Sequence, residues 1–447
     1  MPKIALLLIF SAALASAQDF AAKADAYVQS WVRDGQFRGT VLVAKDGQAV
    51  FRKAYGNAND EWDIANTPDT KFRLGSITKQ FTAVAILQLS EQGKLKLDDP
   101  VKTYYPEAPE AWDKITIHHL LNHTSGIPSY TDQPGFFAKS SRDPKKPGEI
   151  VKLTQDMPLQ FAPGEKHRYN NTGYILLGAV IEKITGQSYA AYLRKSIFDP
   201  LEMNDSGYEV AATPLKKRAS GYSPEGKNAP YLDMTLPYAA GSLYSTIDDL
   251  LKWDEALYTE KLLKRSSFAQ MTTPGLSNYG YGLVIKPADN KPAQAHGGGI
   301  NGFNTFMIRF PEEHVVAIVL ANQNGPAPDT IALNLARLYF GADIKPRPLR
   351  VEIKLPVEKL DGYAGQYQIA PAFVMKVWQE GGRMLTQATG QGQLEIFASA
   401  EDRFFAKVVD AELVFTRDKE GKVTALTLHQ GGREMPAPRV ETPAPRL

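Results

Sequence analysis

Leu74-Gly75-Ser76-Ile77-Thr78-Lys79-Gln80-Phe81-Thr82 opens an apolar run that ends near Gly93. A serine and a lysine three apart at the head of a helix share one face. An amine then stands beside a hydroxyl, the minimum equipment for a serine nucleophile that uses no histidine base. The helix N-terminus adds partial positive charge, which favours an oxyanion forming there. Alone, the string also describes an N-capped core helix with a solvated lysine. The segments around it decide between these readings.

The run is apolar on nearly every side (Ile77, Phe81, Val84, Ala85, Ile86, Leu87, Leu89), which predicts a central, buried helix stopping at Gly93. Upstream, residues 20–32 read as a helix, and 39–44 and 49–54 as strands. Asp46-Gly47 between these strands is a tight-hairpin signal. Downstream, 115–121 starts a helix, 126–165 reads as loops, and 174–185 and 247–257 read as helices. Residues 304–310 and 315–320 form a second strand pair around Pro311-Glu312-Glu313-His314, and a helix covers 329–340. Two hairpins at opposite ends with helices between imply an antiparallel sheet that closes by joining the chain ends. Lys345-Pro346-Arg347-Pro348 reads as a linker. Beyond it, strands at 366–369, 374–379, 384–388, 403–409, 412–417 and 423–429, separated by turns such as Glu380-Gly381-Gly382 and Glu420-Gly421, suggest a small β-barrel or sandwich.

The chain has 447 residues, 43% hydrophobic and 22% charged, an ordinary globular composition for two or three domains. Lys3, the apolar residues 4–14 and Ala15-Ser16-Ala17 read as a cleaved leader, with a mature chain expected from Gln18. No later segment approaches 18 uninterrupted apolar residues, so no stable membrane anchor is expected. The absence of cysteine removes any disulfide framework or lipid attachment site. A periplasmic or secreted location follows as the expectation. The net charge of +2 is dispersed, without a basic stripe interleaved with aromatics, so nucleic acid is not an expected partner.

Two further strings are collinear with the first. Phe161-Ala162-Pro163-Gly164-Glu165-Lys166-His167-Arg168-Tyr169-Asn170-Asn171 carries Y-x-N, and His296-Gly297-Gly298-Gly299-Ile300-Asn301-Gly302 carries H-x-G. His123-Thr124-Ser125-Gly126 lies between the first string and the second, and Gly241-Ser242-Leu243-Tyr244-Ser245-Thr246-Ile247-Asp248 between the second and the third. With S-x-x-K, Y-x-N and [K/H/W]-x-G in order, residues 20–342 resemble the serine hydrolases of the class C β-lactamase, DD-peptidase and carboxylesterase group, which are penicillin-binding-protein-like. Tyr55-Gly56-Asn57 and His429-Gln430-Gly431 repeat two of the patterns on strands and read as structural.

The resemblance implies an α/β (α+β type) antiparallel sheet flanked by helices, followed by a small all-β barrel similar to the lipocalin-like domain of some relatives. The expected division is a leader at 1–17, a hydrolase domain at 18–342, a linker at 343–356 and the barrel at 357–447. The implied activity is an extracytoplasmic serine acyl hydrolase acting on a D-amino-acid peptide or small carboxylic ester. A β-lactamase, or a catalytically silent peptidoglycan- or penicillin-binding module on the same fold, is the alternative. Ser76, Lys79 and Tyr169 are the expected catalytic residues, Ser76 attacking an acyl carbonyl to form an acyl-enzyme. At ordinary pKa values both the amine and the phenol are poor bases, so a coupled Ser76–Lys79–Tyr169 network is expected to own the proton. In this reading Lys79 serves acylation and Tyr169 passes the proton to the leaving group.

Asn171 can donate to substrate and accept from Lys79. His296 is expected on an edge strand facing the serine, with Gly298 beside the substrate. The resemblance places the oxyanion hole at the backbone N–H groups of Ser76 and Gly299. Relatives with efficient lactam hydrolysis usually carry lysine where this chain has His296, so lactams are the less expected substrate. His119 and His123 have zinc-like spacing but lack the glutamate of H-E-x-x-H; His123 is expected to bond nearby backbone at its helix end, and no metal or cofactor is expected. The barrel could cap the site, mediate homo-oligomerisation or serve stability.

Overall fold

The computed structural model describes residues 2–136, 141–407, 409, 411–430 and 433–440, with side chains from Gln18 onward. The predicted leader therefore lies outside the residues whose side chains are described. The backbone of α1 (Pro2–Arg33) covers the predicted 20–32 helix. The chain divides into two compact units, most of residues 1–345 in one and most of 346–447 in the other.

The first unit is built on a six-stranded antiparallel sheet. Its strands are β1 (Gly39–Lys45), β2 (Gln48–Tyr55), β3 (Val284–Ile285), β4 (Gln294–Ile300), β5 (Phe303–Phe310) and β6 (Val315–Ala321), in the order β2-β1-β6-β5-β4-β3. Asp46 and Gly47 both have positive φ (51° and 72°), as a two-residue turn requires. The chain ends meet as expected: β1 pairs antiparallel with β6 from Gly39 opposite Ala321 to Lys45 opposite Val315. Every residue of β6 is buried, so both faces of the sheet are covered there. The helix Ala327–Tyr339 packs on β5 and β6, and the helix Ile247–Ala256 on β6 and β1.

The central helix α2 (Thr78–Glu91) follows a single 3₁₀ turn over Gly75–Ile77. All its residues but Gln88, Ser90 and Glu91 are buried, and Gly93 takes a left-handed φ of 70° just past its end. Helix α3 (Asn171–Thr185) begins three residues before the predicted 174. Asn170 caps it, its side-chain oxygen accepting from the Gly173 N–H at 2.6 Å. The stretch 126–165, read as loops, contains the helix Pro147–Gln155. Proline and lysine flanks hide its short buried face of Ile150, Val151 and Thr154.

The second unit is a closed antiparallel barrel of eight strands. Six were expected; Gln393–Ala400 and Arg433–Val440 are the additions. Pro436 and Pro438, unusual within a strand, flank the buried Ala437 and leave its face to the core. The expected strand at 403–409 ends at Ala406, and residue 408 lies outside the described residues. Tyr363, Tyr367, Phe404 and Phe415 interlock in its interior, Phe415 lying 4.9 Å from Tyr363, 5.6 Å from Tyr367 and 5.5 Å from Phe404 between ring centroids. No described helix is long and apolar enough to cross a membrane.

Candidate active site

The turn carrying Ser76 is pressed against β4. Gly75 has φ of 55°, and a Cβ there would lie 2.9 Å from the Gly299 nitrogen. A Cβ on Gly298 would lie 1.9 Å from the Leu74 oxygen. Thr305 on β5 donates its hydroxyl to that same oxygen at 2.7 Å. Only a glycine at 298 lets strand and turn approach this closely. Gly298 thus seats the two segments that bring Gly299 beside Ser76.

Lys79 points back along α2 to Ser76. Its Nζ donates to Ser76 Oγ at 3.0 Å, to Asn171 Oδ1 at 2.9 Å and to the Ala240 carbonyl at 2.9 Å. The residue is 0% exposed, and burial drives the amine pKa well below its ordinary value. Deprotonated, the amine keeps two N–H donors for Asn171 and Ala240 and turns its lone pair to the Ser76 hydroxyl, the geometry of a general base. Asn171 is held in turn: its Nδ2 donates to Thr131 Oγ1 at 3.0 Å and its backbone N–H to Ser129 Oγ at 3.1 Å.

Tyr169 stands over the same amine, with Lys79 Nζ 4.7 Å from its ring centroid. Burial raises its hydroxyl pKa, and a hydrogen bond between Tyr169 and Ser76 pulls the other way. The residue is still 36% exposed, so solvent tempers the burial effect. His123 packs against it, ring centroids 4.4 Å apart. Itself 1% exposed, His123 accepts from the Asn170 N–H on Nδ1 at 3.1 Å. This backbone belongs to the distant Asn170 segment, which corrects the expected bond near its own helix end. His119 Nδ1 instead accepts from the Thr116 N–H at 3.2 Å, closing a capping box. Among the described residues no three His, Asp or Glu side chains gather as metal ligands.

His296 departs from expectation. Its strand is flanked by β3 only at Gln294 and Ala295, so the edge is open from His296 onward. Both ring nitrogens are engaged away from Ser76. Nδ1 contacts the Gly297 carbonyl at 2.6 Å; a carbonyl can only accept, so Nδ1 carries the proton. Nε2 accepts from the Tyr279 hydroxyl at 2.8 Å. The ring lies 6.2 Å from that of Tyr169, and burial, then the Lys79 charge, lowers its pKa to about 4. His296 is therefore a neutral support behind Tyr169. Tyr279 was not singled out from the sequence, since a lone tyrosine in Tyr279-Gly280-Tyr281-Gly282 has no pattern of its own. Ala240 sits in a stretch noted as a landmark, but a backbone acceptor leaves no side-chain signal.

Ser76, Asn171 and Gly299 line one cleft of about 390 Å³. Tyr130, Phe136, Leu232, Leu236 and Ile300 make its apolar wall, and Asn301, Asn304 and Asn324 its polar one.

The sequence pattern described as Beta-lactamase matches residues 20–342, and one described as a domain of unknown function (DUF3471) matches 349–440. Penicillin-binding protein 4* of Bacillus subtilis is 31% identical over 89% of this chain and 94% of its own length. The teichoic acid D-alanine hydrolase of Staphylococcus aureus is 31% identical over 66% of this chain and 72% of its own. The octameric penicillin-binding protein homologue from Pyrococcus abyssi has a similar structure (TM-score 0.67, 28% identity), covering 93% of this chain and 99% of that one.

Proposed function

The chain belongs to the Beta-lactamase family, and on that premise we propose that it is a serine acyl hydrolase working through an acyl-enzyme on Ser76. Its substrates are D-amino-acid peptides or amides, or small carboxylic esters. A relative named for D-alanine hydrolysis supports the first class. The leader-like residues 1–17 support a place outside the cytoplasm. One observation carries the reading: a fully buried Lys79 with Nζ 3.0 Å from Ser76 Oγ and its other two donors occupied.

In the proposed sequence the Ser76 oxygen attacks the acyl carbonyl while neutral Lys79 takes the hydroxyl proton. The oxyanion is held by the N–H groups of Ser76 and Gly299, each donor of this kind being worth about 3–4 kcal/mol of barrier. Collapse breaks the bond to the leaving amine or alcohol, which receives the proton through Tyr169. Water then attacks the acyl ester, giving a proton back through the same network and releasing the acid. Neutral His296 offers no cation to a lactam carboxylate, so lactams are the weaker substrates. The octameric homologue supports self-association as a further property.

The test is a fluorophosphonate label followed by intact-mass analysis. A single adduct on Ser76, absent from Ser76→Ala, is the expected result. A folded protein that takes no adduct would instead be a silent binding module.

A further inference from the structure

Asn171, Asn301, Asn304 and Asn324 all line the cleft beside Ser76. Three have their amide donors committed. Asn171 Nδ2 donates to Thr131 Oγ1, Asn301 Nδ2 to the Pro230 carbonyl at 2.9 Å, and Asn324 Nδ2 to the Ile300 carbonyl at 2.9 Å and Asn304 Oδ1 at 2.8 Å. Asn304 differs. Its Oδ1 accepts from Asn324 Nδ2 and from the Gly325 backbone N–H at 3.2 Å. A backbone N–H can only donate, so the oxygen must face it and the amide cannot be turned over. Asn324 is fixed in the same way, accepting the Gly302 N–H on Oδ1 at 2.7 Å. Asn304 Nδ2 has no acceptor among the described residues. It lies 3.5 Å from where a Gly299 Cβ would stand, and Asn304 is the cross-strand partner of Gly299.

We propose that Asn304 is a specificity-determining substrate contact, its side-chain amide donating to a carbonyl oxygen on the acyl side of the scissile bond. The proposal rests on the hydrolase reading and deepens it. An oriented donor without an acceptor, beside the strand that flanks the nucleophile, is a site for one neutral acceptor. Among the described residues no Asp, Glu, Lys or Arg lines the cleft, so that acceptor is an amide carbonyl and not a carboxylate. The favoured substrate is then an N-acylated amino-acid ester or amide, and a simple alkanoate ester leaves the donor unpaired. A site built around such a donor discriminates against substrates lacking the partner.

The experiment compares kcat/KM for phenyl N-acetyl-D-alaninate and phenyl acetate, which share a leaving group. Asn304→Ala should lower the ratio of the two roughly tenfold, the size of one neutral hydrogen bond. Asn304→Asp keeps an oxygen for the Gly325 N–H and Asn324 Nδ2 while losing the donor, and should lower the ratio at least as far. An unchanged ratio overturns the proposal, whether both rates hold or both fall equally; equal falls would mark an oxyanion or structural role. The hydrolase reading fails separately: a wild-type protein that turns over neither ester and takes no label on Ser76 refutes both.

Discussion

Two acceptors, Asn171 Oδ1 and the Ala240 carbonyl, and the facing Ser76 hydroxyl surround the buried amine of Lys79. Desolvation favours its neutral form, so the amine gives up its proton well below the ordinary pKa of a lysine. Activity should rise as Lys79 loses its proton and level off well below pH 10.5; a kcat/KM that climbs only towards pH 10.5 would contradict this. Lys79→Ala should cost roughly 10²–10⁴-fold in kcat; a mild loss would move the base role to Tyr169. His296 makes a stability prediction. Its pKa is 6.5 ordinarily and about 4 when folded, so between these values the unfolded chain binds more protons. Full stability holds above pH 6.5 and is lost as pH falls through that window, by about 3 kcal/mol for this group. His118, His119, His123 and His167 are shifted the same way, mainly by burial, and add to the acid sensitivity. Urea unfolding at pH 7 and pH 4.5 should show a smaller difference for His296→Phe than for wild type; an equal difference would acquit His296.

At the scale of elements, the strand bearing His296 is tied to the sheet and to a helix by Arg309. Its Nε donates to Asp254 Oδ1 at 2.6 Å on the helix Ile247–Ala256, and its Nη1 to Gln294 Oε1 at 2.9 Å on β4. Both charges are buried, so removing one leaves the other uncompensated. Arg309→Ala should destabilise by about 3–5 kcal/mol in urea at pH 7, while a loss under about 1 kcal/mol would mean that Asp254 sheds its charge. The helices and hairpins were legible because their periods and turn residues are local: Asp46-Gly47 marks its turn, and α2 is apolar all round. Ser76 with Lys79, and Tyr169 with Asn171, were legible because helical or short spacing places them together. The tilt of His296 towards Tyr279 was not, since it depends on two segments meeting. Asn304 was hidden for the same reason: its amide is oriented by Gly325 and Asn324, which a strand pattern does not reveal.

Among the described residues, a hydrophobic cluster of the first unit runs from Leu42 to Leu320, and another, in the second unit, runs from Leu360 to Ala437. Separate cores predict separate unfolding. Calorimetry should resolve two transitions, and a covalent adduct on Ser76 should raise only one; a single transition moving as a whole would refute this. The second unit was legible as a small all-β barrel after the linker-like prolines, but its last strand was not, because prolines in Arg433–Val440 disguise the strand that completes the ring. The pairing of β1 with β6 has a consequence for biosynthesis. Ribosomes add only about 5–20 residues each second, so the first hairpin waits many seconds with an open flank for a partner not yet made. A nascent chain interrupted before that partner emerges lacks the strand that lies between the first hairpin and the strand bearing Asn304.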